Sequence, residues 1–544
     1  MIKNICFVLL ATTLMFVGAC SKNTLTNVEK GNRDSELYIA NADEPESLDP
    51  HVASGSPDAN IILGLFEGLA SLDPKTLEPS PGVATHWDIS EDGKVYTFYL
   101  RENAKWSNGD NVTAHDFIYS WRRALQPALA AKFAYMMYPI KNAEAFNTGK
   151  LTDFNEVGVK ALTDYRLEIT LAHPTPYFIL LLDHHSFYPV HKATIEKHGE
   201  IDNPNTLWTR AENFVGNGPF TLAEWKINQH IKLAKNPHYW DANTVKLNAL
   251  HFLPITDQQA EERAFRTGQV HLTYSPQMAN EKIATYRDNH PDVFQAYYTY
   301  SSYYYVFNTK RAPFDNIKVR QAFSMAIDRE SITKNVTKGG EIPTFSVIPP
   351  DPQGYKPKAY YGYNPEKAKQ LLAEAGYPNG KGFPTFYIHY NTLETHKKVA
   401  VAVQQMLKNV LNIDVQLHNE EWKVYLSTQK NHNFDVTRQA WIADYADPSN
   451  FFEIFLSYGG NNHSQWDNKQ YDALVEEAAR TMDSAKRFEL FEQANKILAD
   501  EMPIMPIYLY SDINLVQPYV KNWHPNILHR HHYKTVYLDP PEAP

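Results

Sequence analysis

Cysteine is almost absent: the 544-residue chain has two, Cys6 and Cys20, both within the first twenty residues. No disulfide can brace the body of the protein, and no thiol beyond residue 20 is left for nucleophilic catalysis. An excess of positive charge is also missing. The chain carries 52 Lys and Arg against 62 Asp and Glu, net −10, with no sizeable basic block, which argues against a nucleic-acid partner. No phosphate-binding P-loop or dinucleotide fingerprint occurs, so the chain shows no sign of hydrolysing nucleotide. No Gly-x-Ser-x-Gly elbow or His-Glu-x-x-His pair occurs either, which removes several hydrolase families. Beyond residue 20 there is no apolar run of the roughly 20 residues needed to cross a bilayer.

What the chain does have is size and aromatic surface. Its 544 residues are enough for three or four lobes with large buried cores. Hydrophobic residues make up 43% and charged residues 21%, as in ordinary globular proteins, while 34 Tyr, 27 Phe and 10 Trp raise the aromatic share to 13%. Tyrosine and tryptophan are amphipathic, so this composition suits extensive contact surface.

The first twenty residues form an export signal. Lys3 gives a positive start, an apolar run of about 13 residues follows, and Val17-Gly18-Ala19 supplies small residues before Cys20. Val17-Gly18-Ala19-Cys20 resembles a bacterial lipobox, which implies removal of 1–19 and lipid attachment at Cys20. Residues 20–35 then read as a polar tether, with the globular part starting near Glu36.

Strand and helix patterns mix from there without a repeat, giving a mixed α/β class. Residues 96–101 and 167–171 alternate as strands. Helices are expected over 116–125, from 365 to the stop at Gly376, and over 397–411, 471–482 and 484–499, from apolar spacings of three and four with caps at Thr113 and Asn364. Two residues-only functional readings are weak. With 62 acidic residues, candidate glycosidase pairs always exist. The His529-Arg530-His531-His532 cluster could ligate a metal, but its alternation reads as a surface strand, and no metal or other cofactor is expected.

A series of segments carries more information. Leu48-Asp49-Pro50-His51, Leu65-Phe66-Glu67-Gly68-Leu69, Lys105-Trp106-Ser107-Asn108-Gly109, Gly216-Asn217-Gly218-Pro219-Phe220, Asn236-Pro237 with Tyr239-Trp240-Asp241, and Val319-Arg320-Gln321-Ala322-Phe323 occur in order along the chain. Together they resemble the large solute-binding proteins of peptide ABC importers, with 390–392 and 441–445 most similar to the oligopeptide-binding branch. The resemblance implies a two-lobed periplasmic-binding-protein-like fold with an extra inserted domain. Domain I would comprise 36–66, 192–300 and 512–544, the insert 67–191, and domain III 301–511. It further implies a monomeric carrier rather than an enzyme, lipid-anchored in the periplasm or at the cell surface, which closes on short peptides and delivers them to permease subunits.

A carrier for many peptides must read what peptides share, which is an extended backbone and two charged termini. The resemblance places Asp444 against the peptide amine, and Arg438 and His396 at the C-terminal carboxylate of peptides of different lengths. It gives main-chain contacts to Ala440, Ile442 and Ala443, and side-chain pocket walls to Trp441 and Trp422, with Tyr445 in the same segment. Asp447, followed directly by Pro448, reads as the helix cap in that segment. Thr337 stands where relatives have a further basic residue, and Ser301 and Ile442 stand where a close relative has a disulfide. Alternative ligands for the same fold are haem, a nickel chelate or a sugar, none of which offers a free α-ammonium.

Overall fold

The computed structural model describes residues 25–274, 278 and 280–541; the expected leader 1–19 and Cys20 lie outside the described residues. Among the described residues no helix is long and apolar enough to cross a membrane.

Order begins earlier than the polar composition of 20–35 suggests. Asn27–Asp34 forms helix α1, closed by reciprocal bonds in which Thr26 Oγ1 accepts from the Glu29 N–H and Glu29 Oε2 accepts from the Thr26 N–H. The helix is docked on the body by Val28, whose N–H donates to the Gly268 carbonyl at 3.0 Å. Gly31 faces inward so closely that a Cβ would lie 2.3 Å from the Glu36 carbonyl oxygen. The expected tether is therefore folded from Thr26 onward, because capping and one small buried residue outweigh low hydrophobicity.

Along the chain, β1 (Glu36–Ala40) precedes a four-stranded unit of β2 (Ala84–Ile89), β3 (Val95–Leu100), β4 (Val159–Thr163) and β5 (Arg166–Thr170), in the order β2-β3-β5-β4 and wholly antiparallel. In β3 Tyr96, Phe98 and Leu100 are buried in strict alternation, as the sequence predicts. Helix α2 (Ala114–Ala124) packs on this unit, its start held by Asp116 accepting from the Thr113 N–H at 2.7 Å. The chain then returns to β1 through β6 (Phe220–Lys226), β7 (His230–Lys235), β8 (Ala249–Leu253) and β9 (Leu272–Thr273). These five strands form a mixed sheet, β9-β1-β8-β7-β6. One continuous apolar core joins both sheets and takes in Val516, Val520, Trp523, Tyr533 and Val536 from the far end of the chain.

A third sheet is built from β11 (Ser301–Phe307), β12 (Ile342–Pro343), β13 (Phe386–Asn391), β14 (Val415–Glu420), β15 (Val436–Ile442) and β16 (Ile504–Leu509), in the order β12-β16-β11-β15-β13-β14. Its central strand β11 is buried at every position. Tyr303, Tyr305 and Phe307 join a core with α3 (Pro365–Glu374) and α4 (Glu394–Leu411). Tyr304 and Val306 join a second core with α6 (Ser449–Phe452), α7 (Lys469–Arg480) and α8 (Ser484–Glu501). A strand buried on both faces thus reads as an apolar and aromatic run without polar alternation. Helix α5 (Trp422–Lys430) lies between β14 and β15 in sequence. A ribbon of β10 (Phe294–Tyr298) and β17 (Ser511–Leu515) runs between the first and third sheets; β10 leads into β11, and β16 leads into β17.

Candidate functional site

The site is built around β15 and the loop after it. On one side β15 pairs with β11 over its whole length, from Val436 opposite Phe307 to Ile442 opposite Ser301. On the other side β13 pairs with it only at Val436 and Thr437. The Arg438 carbonyl accepts from Tyr425 Oη and from Gln429 Nε2, the latter at 3.0 Å, so it points away from β11. Backbone groups alternate along a strand, so Ala440 and Ile442 turn theirs the same way. No strand among the described residues pairs that edge beyond Thr437. Ala443 behaves differently: its N–H donates to the Tyr300 carbonyl at 2.9 Å, leaving only its own carbonyl to face elsewhere. Ser301 and Ile442 sit opposite one another as direct register partners.

At the near end of the edge, the Arg438 guanidinium is buried among neutral groups. It donates to Tyr510 Oη at 2.5 Å and Asn391 Oδ1 at 3.4 Å, and lies 4.8 Å from the Tyr303 ring centroid, while its Nε has no hydrogen-bond partner among the described residues. Burial opposes the charge, but the hydroxyls of Tyr510, Tyr303, Tyr425 and Tyr508 outweigh it and raise the pKa above the usual arginine value. His396, at the start of α4, packs 5.6 Å from the same Tyr303 ring, and its Nδ1 also lacks a hydrogen-bond partner among the described residues. Burial, and then the Arg438 charge, lower its pKa to about 3, so the ring is neutral at physiological pH. The structure thus brings Arg438 and His396 together around Tyr303. Thr337 instead hydrogen-bonds Glu341 at 2.7 Å.

Asp444 lies at the far end of the edge. Its carboxylate accepts from Tyr135 Oη at 2.6 Å, and burial raises its pKa above the ordinary carboxylate value. Arg530 reaches this loop but donates to the Asp444 main-chain oxygen, at 2.9 Å. The capping role falls to Asp447, which accepts from the Ser449 N–H at 2.9 Å at the start of α6. Tyr445 is buried and stacks on Tyr177 at 5.0 Å, with 8° between the rings. Trp441 is tied to Asn450 Oδ1 at 2.7 Å and packs toward the core of α6 to α8. Trp422 is half exposed and stacks on Tyr425 at 6.0 Å.

Sequence reading missed Tyr135, Tyr177 and Arg530. The two tyrosines come from the 67–191 segment, more than 250 residues from Asp444 in the chain, and nothing local in Ala134-Tyr135-Met136-Met137 marks such a contact. Residues 529–532 are a loop and not the expected surface strand. His529 adopts φ 53°, His531 is buried and stacks on Trp523 at 4.0 Å, and His532 sits 2.9 Å from Asp183 Oδ1. Burial against Trp523 and the two acids Asp512 and Asp183 dictate this path, so the apparent alternation had no strand behind it.

Comparison with known proteins places this geometry in a lineage. The family described as bacterial extracellular solute-binding proteins, family 5 (middle), matches residues 78–463. The chain is 38% identical over 513 residues to the periplasmic oligopeptide-binding protein OppA of Salmonella typhimurium, covering 92% of each. Among solved structures it resembles the unliganded open form of the periplasmic murein tripeptide-binding protein MppA, with TM-score 0.81, 35% identity, and 93% and 97% of the two chains covered. It also resembles Haemophilus influenzae OppA in complex with the peptide RPPGFSPFR, with TM-score 0.75, 35% identity, and 93% and 99% covered.

Proposed function

Because this chain belongs to the family 5 extracellular solute-binding proteins, which bind solutes and are not enzymes, we propose that it captures short peptides along the open edge of β15 for an ABC permease. The observation that carries the reading is the pairing of an unfilled strand edge with opposite charges at its ends. A peptide added there gains main-chain hydrogen bonds whatever its sequence. Arg438 and Asp444 are six residues apart, at most about 20 Å of extended chain, which is the scale of a short peptide. With its amine at Asp444 and its carboxylate toward Arg438, the peptide would run antiparallel to β15.

The same reading assigns His396 to the carboxylate of peptides of one length, Trp422 and Trp441 to side-chain pockets, and Ala440, Ile442 and the Ala443 carbonyl to main-chain contacts. We place the lipid anchor at Cys20 and the protein outside the cytoplasmic membrane, with 36–66, 192–300 and 512–544 as one lobe, 67–191 as its insert and 301–511 as the other lobe. The ribbon of β10 and β17 is the hinge.

Closure of the lobes is testable. At equal identity the chain matches the open unliganded relative at TM-score 0.81 and the peptide complex at 0.75, which supports an open starting state. Peptide should shift that state to a closed one and raise the melting temperature by mass action, by about 2.7 kcal/mol of stability at a hundredfold excess over Kd. Small-angle scattering should show a smaller radius of gyration with peptide. No compaction and no thermal shift across a varied peptide library would end the peptide reading.

A second expectation concerns protons. The His396 pKa of about 3 lies below its unfolded value near 6.5, so the free site holds this ring neutral. A peptide carboxylate beside it favours the charged form and raises that pKa, so binding takes up a proton and affinity rises as pH falls toward the bound-state pKa. Calorimetry in two buffers of different ionisation enthalpy measures the uptake. If peptides of every length bind with the same proton uptake in wild type and in His396→Gln, His396 is not a carboxylate partner.

A further inference from the structure

On β13 and β14, the two strands beyond β15 at one end of the third sheet, three side chains converge that the peptide reading does not use. β13 and β14 run parallel in register, with His389 opposite His418 and Asn391 opposite Glu420. Residues two apart on a strand share a face, so His418 and Glu420 point the same way and His389 stands beside them. His389 Nδ1 lies 3.5 Å from Glu420 Oε2, and His418 Nε2 lies 3.6 Å from Glu420 Oε1. One donor atom from each of the three residues fits within 4.8 Å of the others.

We propose that His389, His418 and Glu420 form a binding site for a borderline divalent cation of the zinc class. Two imidazoles and one carboxylate are the donor set that suits zinc, nickel or copper, and not the all-oxygen set of calcium or magnesium. Bonds of about 2.1 Å at tetrahedral angles put donor atoms about 3.4 Å apart, close to both measured separations. Beyond their mutual contact at 3.5 Å, His389 Nδ1 and Glu420 Oε2, both buried, have no hydrogen-bond partner among the described residues, so each can turn a lone pair to a cation.

The surroundings support a built site. Thr428 Oγ1, from α5, donates to Glu420 Oε1 at 2.9 Å and orients the carboxylate, as outer groups do around metal ligands. Asp435 adds negative charge near His389. The His418 side chain is 50% exposed, which leaves an entry path and room for water or a further ligand in the remaining positions. The ion would tie the edge strand β14 to β13. This inference does not depend on peptide binding and stands or falls separately.

The test uses untagged protein freed of metal, titrated with Zn2+ alone by calorimetry and with Co2+ by visible absorption. Wild type should bind one equivalent that is lost or strongly weakened in His418→Gln and in His389→Gln. The loss should exceed the roughly 10- to 100-fold typical of removing an outer partner, which Thr428→Val should show. His418 is half exposed, so His418→Gln should fold, and its circular dichroism and peptide affinity should match wild type. Absence of binding in wild type, or equal binding in wild type and both histidine variants, would overturn the proposal.

Discussion

Replacing Asp444 by Asn should weaken binding of a free-amine peptide by roughly 30-fold to several thousand-fold. Truncating one member of a buried charge pair costs about 2 to 5 kcal/mol, because the other charge is left unpaired, and each 1.4 kcal/mol is a factor of ten. The Asp444 carboxylate suits this role: it is partly buried and, among the described residues, takes a hydrogen bond from the Tyr135 hydroxyl. An arriving ammonium would meet a carboxylate that no cation contacts directly among the described residues, since Arg530 donates to the main-chain oxygen and acts on the carboxylate only through its charge. N-acetylation of the peptide removes the same pair from the other side. The two changes together should cost much less than the sum of their separate effects, as for directly interacting groups. Calorimetry on wild type and Asp444→Asn, each with free and acetylated peptide, completes the cycle. Additive losses, or an acetylated peptide that binds wild type undiminished, would remove Asp444 from the amine site. The same cycle separates a peptide from haem, a nickel chelate or a sugar, whose binding the loss of this one charge should leave largely unchanged.

How far the sequence reveals this arrangement depends on whether the determining interaction is local. Helix α3 was legible to within a residue or two, because Asn364 accepts from the Lys367 N–H at 3.0 Å and Pro365 opens the first turn. α4, α7 and α8 were legible from apolar spacing, and Asp447 as a cap from the proline beside it. The mixed α/β class followed from the same local patterns, whereas the number and order of the sheets did not. What could not be read locally was α1, whose stability comes from a docking contact to Gly268, and the loop at 529–532, where distant acids and Trp523 override a period-two pattern. The candidate site divides in the same way. Arg438, Asp444 and His396 were found through family resemblance, not through spacing. The open edge of β15 is a property of strand order, and Tyr135 enters from a separate sheet unit, so neither leaves a mark in the neighbouring sequence. The His389, His418 and Glu420 group is hidden for a related reason: 29 positions of chain separate two residues that parallel register puts side by side.

Asp447→Asn should cost the protein about 3 to 5 kcal/mol of stability, the range for breaking a buried ion pair from one side. Asp447 and Arg487 form a two-pronged pair at 2.6 and 2.7 Å, with side chains only 1% and 4% exposed. Arg487 also donates to the Ala478 carbonyl at 3.0 Å and packs over Phe491, so it cannot swing out to water when its partner is lost. The loss should depend on pH, because two further acids share the site. Burial and the Asp447 charge raise Glu453 and Asp351 each to about 7, while the Arg487 charge pulls both down. In wild type the folded protein therefore keeps protons that the unfolded chain releases near pH 4. These two groups make stability fall as pH rises from about 4 to 7. Removing the Asp447 charge lowers both pKa values, which lets Glu453 or Asp351 ionise and partly compensate Arg487. The variant should therefore lose most at pH 5 and less at pH 7.5, with a flatter stability profile than wild type. Denaturant unfolding at the two pH values measures this. Equal losses at both would show that Glu453 and Asp351 do not sense the pair. Pairing Asp447→Leu with Arg487→Met should recover most of the stability, since an apolar replacement of both partners leaves no buried charge behind. Tyr177, which donates to Glu453 and stacks on Tyr445, carries this cluster to the 67–191 segment. A stability loss that left peptide affinity unchanged would separate the structural anchor at Asp447 from the proposed amine site three residues before it.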